Sequence, residues 1–557
     1  MGNNLADLLL INGNIITMDE EKPRATSIAV KNDTIVFVGK TKDALELKGS
    51  STEVIDLKGQ TVMPGFIESH IHPTMYGLNL LQIDCRTENT PSIDEILKKV
   101  EEAAKDTPDS EWIKGWGWDD SKLAEKRNPT RWDLDKVAPN HPVVLTRTCT
   151  HMAVVNSKAL ELSGITEETQ DPSGGHIEKD SQTGEITGLL QEKAQGLVAL
   201  PELTFNDILK GMQLAQNDFA KWGITTVHDM STQKSDMEVY QELLSNNELN
   251  VRVRPWYWAV SQNEWSGLLD EVLSLGIKSG FGNDMIKIQG MKFMLDGGIG
   301  GRTAALSEPF EGSQSRGILY YDVEEIAPLM EKALLADLRV AIHGIGERAI
   351  EVAIQSFEKA NKKKDITSMR NRIEHCALPT TEHLQRMKKL ELVAGSSIGF
   401  LYHIGDSYLA NLGPERVERV YPHKSFKDHG IVAPGNSDLP VTGGNPWTGI
   451  YAAVTRKTIS DQTLDTKQNV SLYDAIKAYT VDAAFSSLEE QSLGSIRPSA
   501  KADLIVMAED PFEIDIEQLV DIQIEKTYLG GKVVYSREQD VPSLNSGQDH
   551  MEIQNKQ

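Results

Sequence analysis

The chain has 557 residues, well above one ordinary domain, with 25% charged and 39% hydrophobic residues, which excludes wholesale disorder. Lys+Arg 57 against Asp+Glu 82 leaves a formal charge of −25, and a surface of that sign disfavours nucleic acid or an anionic membrane as partner. Three cysteines (Cys85, Cys149, Cys376) lie far apart without a CxxC, so neither a disulfide framework nor a cysteine zinc site is expected.

The N-terminal MGNNLADLLL lacks a basic n-region, and no apolar run reaches membrane-spanning length. A cytoplasmic protein is the expectation. Residues 1–62 read as short strands: LLLING, NIITMD, SIAVKN and DTIVFVG are separated by Asn-Gly, Lys-Pro and Asn-Asp turn signals. Residues 491–540 repeat the style, with Gly530-Gly531 suited to a hairpin. Both termini are therefore expected to build one small discontinuous β-sandwich, followed by an unpatterned tail at 541–557.

Residues 63–490 alternate buried strands with amphipathic helices. Strands are predicted at 61–67, 225–229, 251–258, 286–294, 339–342, 371–374, 392–397 and 431–436, and helices at 205–222, 324–336 and 348–360. Eight strands with intervening helices give the α/β class and a (β/α)8 TIM barrel. No Gly-rich phosphate loop favours a doubly wound sheet. The excess of roughly 150 residues after the first strand exceeds any ordinary loop, so about 83–204 is read as an inserted lobe with its own helices.

The chemistry concentrates at the ends of predicted strands. In MPGFIESHIHP, His70 and His72 stand two apart, so a strand projects both imidazoles to one face. His343 ends RVAIH, His375 ends RIEH, and Asp438 ends IVAPGNSD. A lone histidine on an apolar strand is usually structural. Four histidines and an aspartate at successive strand ends suit a divalent transition metal such as zinc. GSSIG (395–399) fits GxSxG, but after Asp438 the only histidine is His550 in the tail, and Asp428–His429 leaves no room for the strands a nucleophile elbow needs between them. His403, His423 and His429 fall in a loop-rich stretch and are read as solvent-exposed.

At these residues the chain resembles the amidohydrolase superfamily, and within it the N-substituted formamide deformylase and exoenzyme regulatory protein branch. The resemblance is carried by PGFIESHIHP, GWGWDDS, KFMLDGGIGGRTA, HGIGERA, RIEHC, GNSDLPV and the late AKADLIVMAEDP, in that order. It implies a metal-dependent hydrolase cleaving a C–N bond of an amide or N-substituted formamide by attack of a metal-activated hydroxide. It further implies metal ligation by His70, His72, His343, His375 and Asp438, with Asp438 as general base and acid and His343 or His375 holding the oxyanion. Lys292 matches a lysine that, when carboxylated, bridges two metals; without the carbamate a single ion is expected, so zinc enters as one or two ions. His151, Trp116, Trp118 and Arg302 are candidates for substrate contact, against the alternative that they pack the lobe or pair locally. The partner expected is a small molecule, with a homodimer as the assembly considered. Two other readings stay open: a deaminase of a ring amidine, and a non-catalytic regulatory protein on the same scaffold.

Overall fold

The computed structural model describes residues 5–540 apart from 88, 121, 148–151 and 263–264. The chain divides into two compact units, Met1–Pro73 with Gln216–Gln557, and Thr74–Ala215. No helix among the described residues is long and apolar enough to cross a membrane.

In the first unit, two sheets built from both ends of the chain form the sandwich. One has four strands (Thr34–Gly39, Ser27–Lys31, Ala6–Ile11, Lys48–Asp56) and the other six, in which Leu504–Met507 lies between Ile524–Leu529 and Thr61–Pro64. Alternation along Ala6–Ile11 explains the pairing: Leu8 and Leu10 join Ile28, Val30, Val62, Leu504 and Val506 between the sheets, while Leu9 faces the other way with Ala29 and Ala44. The hairpin at Gly530 and Gly531 has φ of +57° and +78°, values that glycine adopts without a Cβ clash.

The barrel in the same unit contains seven parallel strands in the order Phe66–Ile71, Ile224–Thr232, Arg252–Trp258, Gly290–Met294, Arg339–Gly344, Arg372–His375 and Val393–Gly395. The first begins later than the sequence suggests. Thr61–Pro64 pairs with Leu504–Met507 in the sandwich, and the chain changes sheets at Gly65. Gly65 donates to Asp503 O in the sandwich (2.9 Å) and Phe66 to Gly223 O in the barrel (2.9 Å). A Cβ on Gly65 would lie 2.3 Å from Thr225 Oγ1, so only glycine allows this crossing.

The predicted eighth strand, 431–436, is not a regular strand. Pro434 has no N–H to donate, yet the segment occupies the eighth place: Ala394 and Ser396 donate to Val432 O and Pro434 O (both 3.0 Å), and Asp438 donates to His70 O (3.0 Å). The barrel closes through this irregular segment, which carries Asp438 to the first strand.

Strand parity decides what faces inward. Val340, Ile342 and Ile373 pack outward against Ile326, Met330, Leu334, Ile350 and Phe357, which come from the helices Val323–Leu335 and Glu347–Asn361. Arg339, Ala341, His343, Arg372 and Glu374 have the opposite parity and are buried.

The second unit has a six-stranded sheet in the order Gly175–Lys179, Ile186–Glu192, Met152–Val155, Val143–Arg147, Ile113–Trp118, Ile83–Asp84. The unit, expected at about 83–204 with its own helices, runs from Thr74 to Ala215 and is organised on a sheet. Its helix Ile93–Asp106 is capped by Ser92, whose Oγ accepts from Glu95 N at 3.3 Å. That helix packs Ile93, Ile96 and Val100 against Val143, Leu145 and Trp118.

Candidate metal centre

His70 and His72 project from the end of the first barrel strand on one parity, and both are buried. His72 Nε2 lies 3.0 Å from Asp438 Oδ1, and His70 Nε2 lies 3.4 Å from the same oxygen. These three residues offer ligand atoms within 4.8 Å of one another, the one such group of three or more among the described residues. Asp438 Oδ1 is buried and accepts no hydrogen bond, although two imidazole nitrogens stand beside it. Buried polar atoms normally find partners. Two imidazole nitrogens gathered around an unpartnered carboxylate oxygen fit a cation. Two imidazoles and a carboxylate are a donor set that zinc accepts.

The imidazoles are held from behind. His70 Nδ1 lies 2.6 Å from Glu374 Oε2, and Glu374 receives two donors from Arg372 at 2.7 and 2.9 Å. A carboxylate so gripped only accepts, so His70 carries its hydrogen on Nδ1 and presents Nε2 as a lone pair. His72 Nδ1 contacts Ser231 Oγ at 2.6 Å. His375 Nδ1 contacts Ser397 Oγ at 2.7 Å, and that hydroxyl donates to Asn436 Oδ1 at 2.7 Å. Ser397 of the GSSIG segment is thus occupied in orienting a histidine. Burial, with the positive charge of Lys292 adding to it, holds His70 well below the usual histidine range, which favours the neutral ligand form. Burial does the same to His375, aided by its neighbour His343.

His375 and His343 extend the cluster without entering the tight trio. His375 Nε2 is 4.0 Å from Asp438 Oδ2, and its ring centroid lies 4.7 Å from that of His70 and 4.4 Å from that of His343. Parity would send His375 outward with Ile373. Its φ of +64° turns it inward instead, and Asp438 also sits at positive φ, +53°. Such backbone is costly for residues with a Cβ and gathers where function requires it. His343 Nε2 lies 3.3 Å from Gly297 O and 3.3 Å from Asp296 Oδ1, which leaves Nδ1 as its other ligand atom. Lys292 is buried with Nζ 3.2 Å from His70 Nε2, and burial lowers its pKa to about 8.

The other sequence candidates lie as follows. Trp118 is fully buried in the core of the second unit and donates from Nε1 to Leu145 O at 3.3 Å, which corrects the expectation that it contacts substrate. Trp116 is half-buried under the guanidinium of Arg86, 5.2 Å from its ring centre. Arg302 is exposed and donates to Asn411 Oδ1 at 2.8 Å, the local pairing weighed against a substrate role. His151 lies outside the described residues. His423 is buried rather than exposed, with Nε2 2.8 Å from Ser396 Oγ.

Sequence reasoning passed over Glu374, Arg372, Ser231 and Phe400. Glu374 was legible in principle, since RIEH places two charged residues on the inward parity of an apolar strand. Phe400 stacks on His375 at 6.0 Å between ring centroids, and Trp265 stands 5.9 Å from His72 and 4.3 Å from Trp258. The histidines therefore have aromatic rings on two sides.

The family model described as amidohydrolase matches residues 53–535, from the sandwich through the barrel and back. The chain belongs to the amidohydrolase family. YtcJ of Bacillus subtilis (strain 168), which bears an amidohydrolase name, is 32% identical over 537 residues, covering 94% of this chain and 98% of its own. The N-substituted formamide deformylase of Arthrobacter pascens is 27% identical over 548 residues, covering 96% and 99%. Among solved structures, a metal-dependent hydrolase from Pyrococcus horikoshii OT3 is similar with a TM-score of 0.75 and 29% identity, covering 92% of this chain and 99% of that one. This amidohydrolase is accordingly a metal-dependent hydrolase.

Proposed function

We propose that the protein hydrolyses a C–N bond of a small amide, of the N-substituted formamide kind, with one zinc ion held by His70, His72 and Asp438. The observation that carries the reading is the convergence of the two Nε2 atoms on a buried Asp438 oxygen that has no hydrogen-bond partner. A divalent ion bound there lowers the pKa of water towards about 7 and polarises a carbonyl. Lys292, as a carbamate, would complete a second position together with His343 and His375.

In this reading Asp438 takes the proton of the attacking water on its carboxylate and returns it to the leaving nitrogen. The left-handed backbone at Asp438, pinned by its own N–H on His70 O, aims the carboxylate at both imidazoles and at His375. His375 donates from Nδ1 to Ser397 Oγ, whose hydroxyl is already given to Asn436, so its Nε2 faces the site as a lone pair suited to a ligand. Phe400 and Trp265 offer apolar faces to a substituent on the substrate, and they shield the carbonyl from bulk water. Support for the formamide assignment comes from the Arthrobacter relative, which matches over nearly its whole length.

The test is a panel of N-substituted formamides, other amides and ring amidines, assayed separately for formate, free amine and ammonia with zinc-loaded protein. Amine release from formamides supports the reading. Ammonia release from ring amidines alone would replace it with a deaminase, and no turnover of any member would point to the regulatory alternative.

A further inference from the structure

Beneath the histidines the barrel interior holds a buried cation that the proposed chemistry does not use. Arg372 is wholly buried, and each of its five N–H groups has an acceptor. Nε donates to Glu374 Oε1 (2.7 Å), and Nη2 to Glu374 Oε2 (2.9 Å) and to Ser69 O (3.0 Å). Nη1 lies 3.0 Å from His228 Nδ1 and donates to Ser486 Oγ at 3.4 Å. The guanidinium is therefore tied to the first barrel strand, the second, its own strand and the segment at Ser486. The ring of Trp256 lies 5.6 Å from its carbon and limits rotation further.

Such a group cannot turn without breaking several bonds, and Glu374 is attached to it through both oxygens. Glu374 in turn sets His70 through the 2.6 Å contact at Nδ1. The charges are ordered as well: guanidinium, carboxylate, imidazole, and then the point where the ligand atoms converge. Without Glu374, a buried guanidinium and the nearby Lys292 would face a divalent ion with no compensating anion between.

We infer that Arg372 and Glu374 are positioning residues for the metal centre: Arg372 locks the Glu374 carboxylate, and Glu374 fixes the tautomer of His70 while offsetting the guanidinium charge. The inference rests on the reading of His70 as a metal ligand. It goes beyond that reading by assigning metal affinity to a pair of residues that touch neither metal nor substrate.

The experiment is a cobalt(II) titration of the full-length protein against a competing chelator, with the visible spectrum recorded, for the parent, Glu374→Gln, Arg372→Met, the double variant and His70→Ala. Glu374→Gln should weaken cobalt binding by about 10–100-fold and change the visible absorption, as loss of an outer partner of a ligating histidine does. The double variant should bind several-fold more tightly than Glu374→Gln alone, because removing the guanidinium removes the uncompensated charge. A pair that serves packing alone predicts the reverse, with the double variant weakest. Binding within twofold of the parent in folded Glu374→Gln, with an unchanged spectrum, overturns the inference, as does a double variant weaker than Glu374→Gln. If Glu374→Gln does not fold, the same step is read from Arg372→Met to the double variant. There, a loss of about tenfold supports the inference and an unchanged affinity defeats it. His70→Ala separates the two levels: parent-like cobalt binding in that variant removes the ligand reading itself.

Discussion

Asp438 Oδ1 lies 3.0 Å from His72 Nε2 without accepting a hydrogen bond from it, although both groups are buried. Two such groups in a protein without a ligand role would be expected to bond to each other, since leaving them unmade costs on the order of 1–3 kcal/mol. The backbone at Asp438 adds to that cost through its positive φ. Both expenses are understandable if the carboxylate is aimed at a cation and at a proton in transit.

Asp438→Asn tests the proton role. Asparagine keeps the size and can serve as a turn cap, so the fold should survive. A proton shuttle acts in the transition state, so kcat and kcat/KM should fall together, by about 10²–10⁴-fold. Steady-state kinetics on any turned-over amide would check this, and activity within a few-fold of the parent would defeat the role.

His70→Ala combined with His72→Ala should abolish zinc binding in elemental analysis. It should also remove the stabilisation that added zinc gives the parent, about 2.7 kcal/mol at a hundredfold excess over Kd. Thermal melts with and without zinc provide the second readout. A double variant that zinc stabilises as much as the parent would exclude these two ligands.

Much of the barrel was readable because its strands are buried on both faces and bounded by helices, and because HxH has a parity that any strand must obey. Three features escaped for physical reasons. Thr61–Pro64 and Phe66–Ile71 read as one apolar run, and only the crowding of Gly65 against Thr225 shows that the chain changes sheets between them. The closing segment at 431–438 has strand-like composition, yet Pro434 denies it a regular ladder. His375 reaches the cluster through a backbone angle that no alternation rule supplies. The polar scaffold below the site, with Arg372 and Glu374, was visible as buried charge on an inward parity, but its partners come from residues as distant as Ser69 and His228.

Aromatic contacts lead to a prediction about selectivity. Trp265 stands beside His72 and is half-buried. Trp265→Ala should raise KM by about tenfold for formamides with large apolar substituents while changing kcat little, since it removes binding shared by ground and transition states. Unsubstituted formamide should be nearly unaffected. Equal losses on both substrates would show that Trp265 supports the site rather than the substituent.

His423 gives a pH dependence. Its burial, with Arg456 adding to it, pushes its pKa down to about 3 from 6.5. Below pH 6.5 the unfolded chain takes up a proton that the folded chain refuses, so stability is full above 6.5 and is lost as pH falls towards 3. Each unit in that window costs about 1.4 kcal/mol for one such group. Urea unfolding at pH 7, 6 and 5 should show this loss, and His423→Gln should reduce the slope by one proton's worth. An unchanged slope would assign the acid sensitivity to other groups.

The proposed bridging role of Lys292 predicts how the number of bound ions responds to bicarbonate. Its Nζ is 3.2 Å from His70 Nε2, within hydrogen-bonding distance of a nitrogen assigned to the metal, so an ion there would displace a charged ammonium. Burial brings its pKa to about 8, so roughly a tenth is neutral at pH 7, and the neutral amine is the form that adds carbon dioxide. In the proposed site the trio of His70, His72 and Asp438 would need no carbamate, whereas a second ion at His343 and His375 would take an anionic bridge. Protein loaded with zinc in bicarbonate-free buffer should hold one ion per chain, and bicarbonate should add a second. Lys292→Ala should stay at one ion under both conditions, read by elemental analysis. Two ions in Lys292→Ala would remove the bridge, and a single ion in the parent under bicarbonate would leave Lys292 as a neutral neighbour of a mononuclear centre.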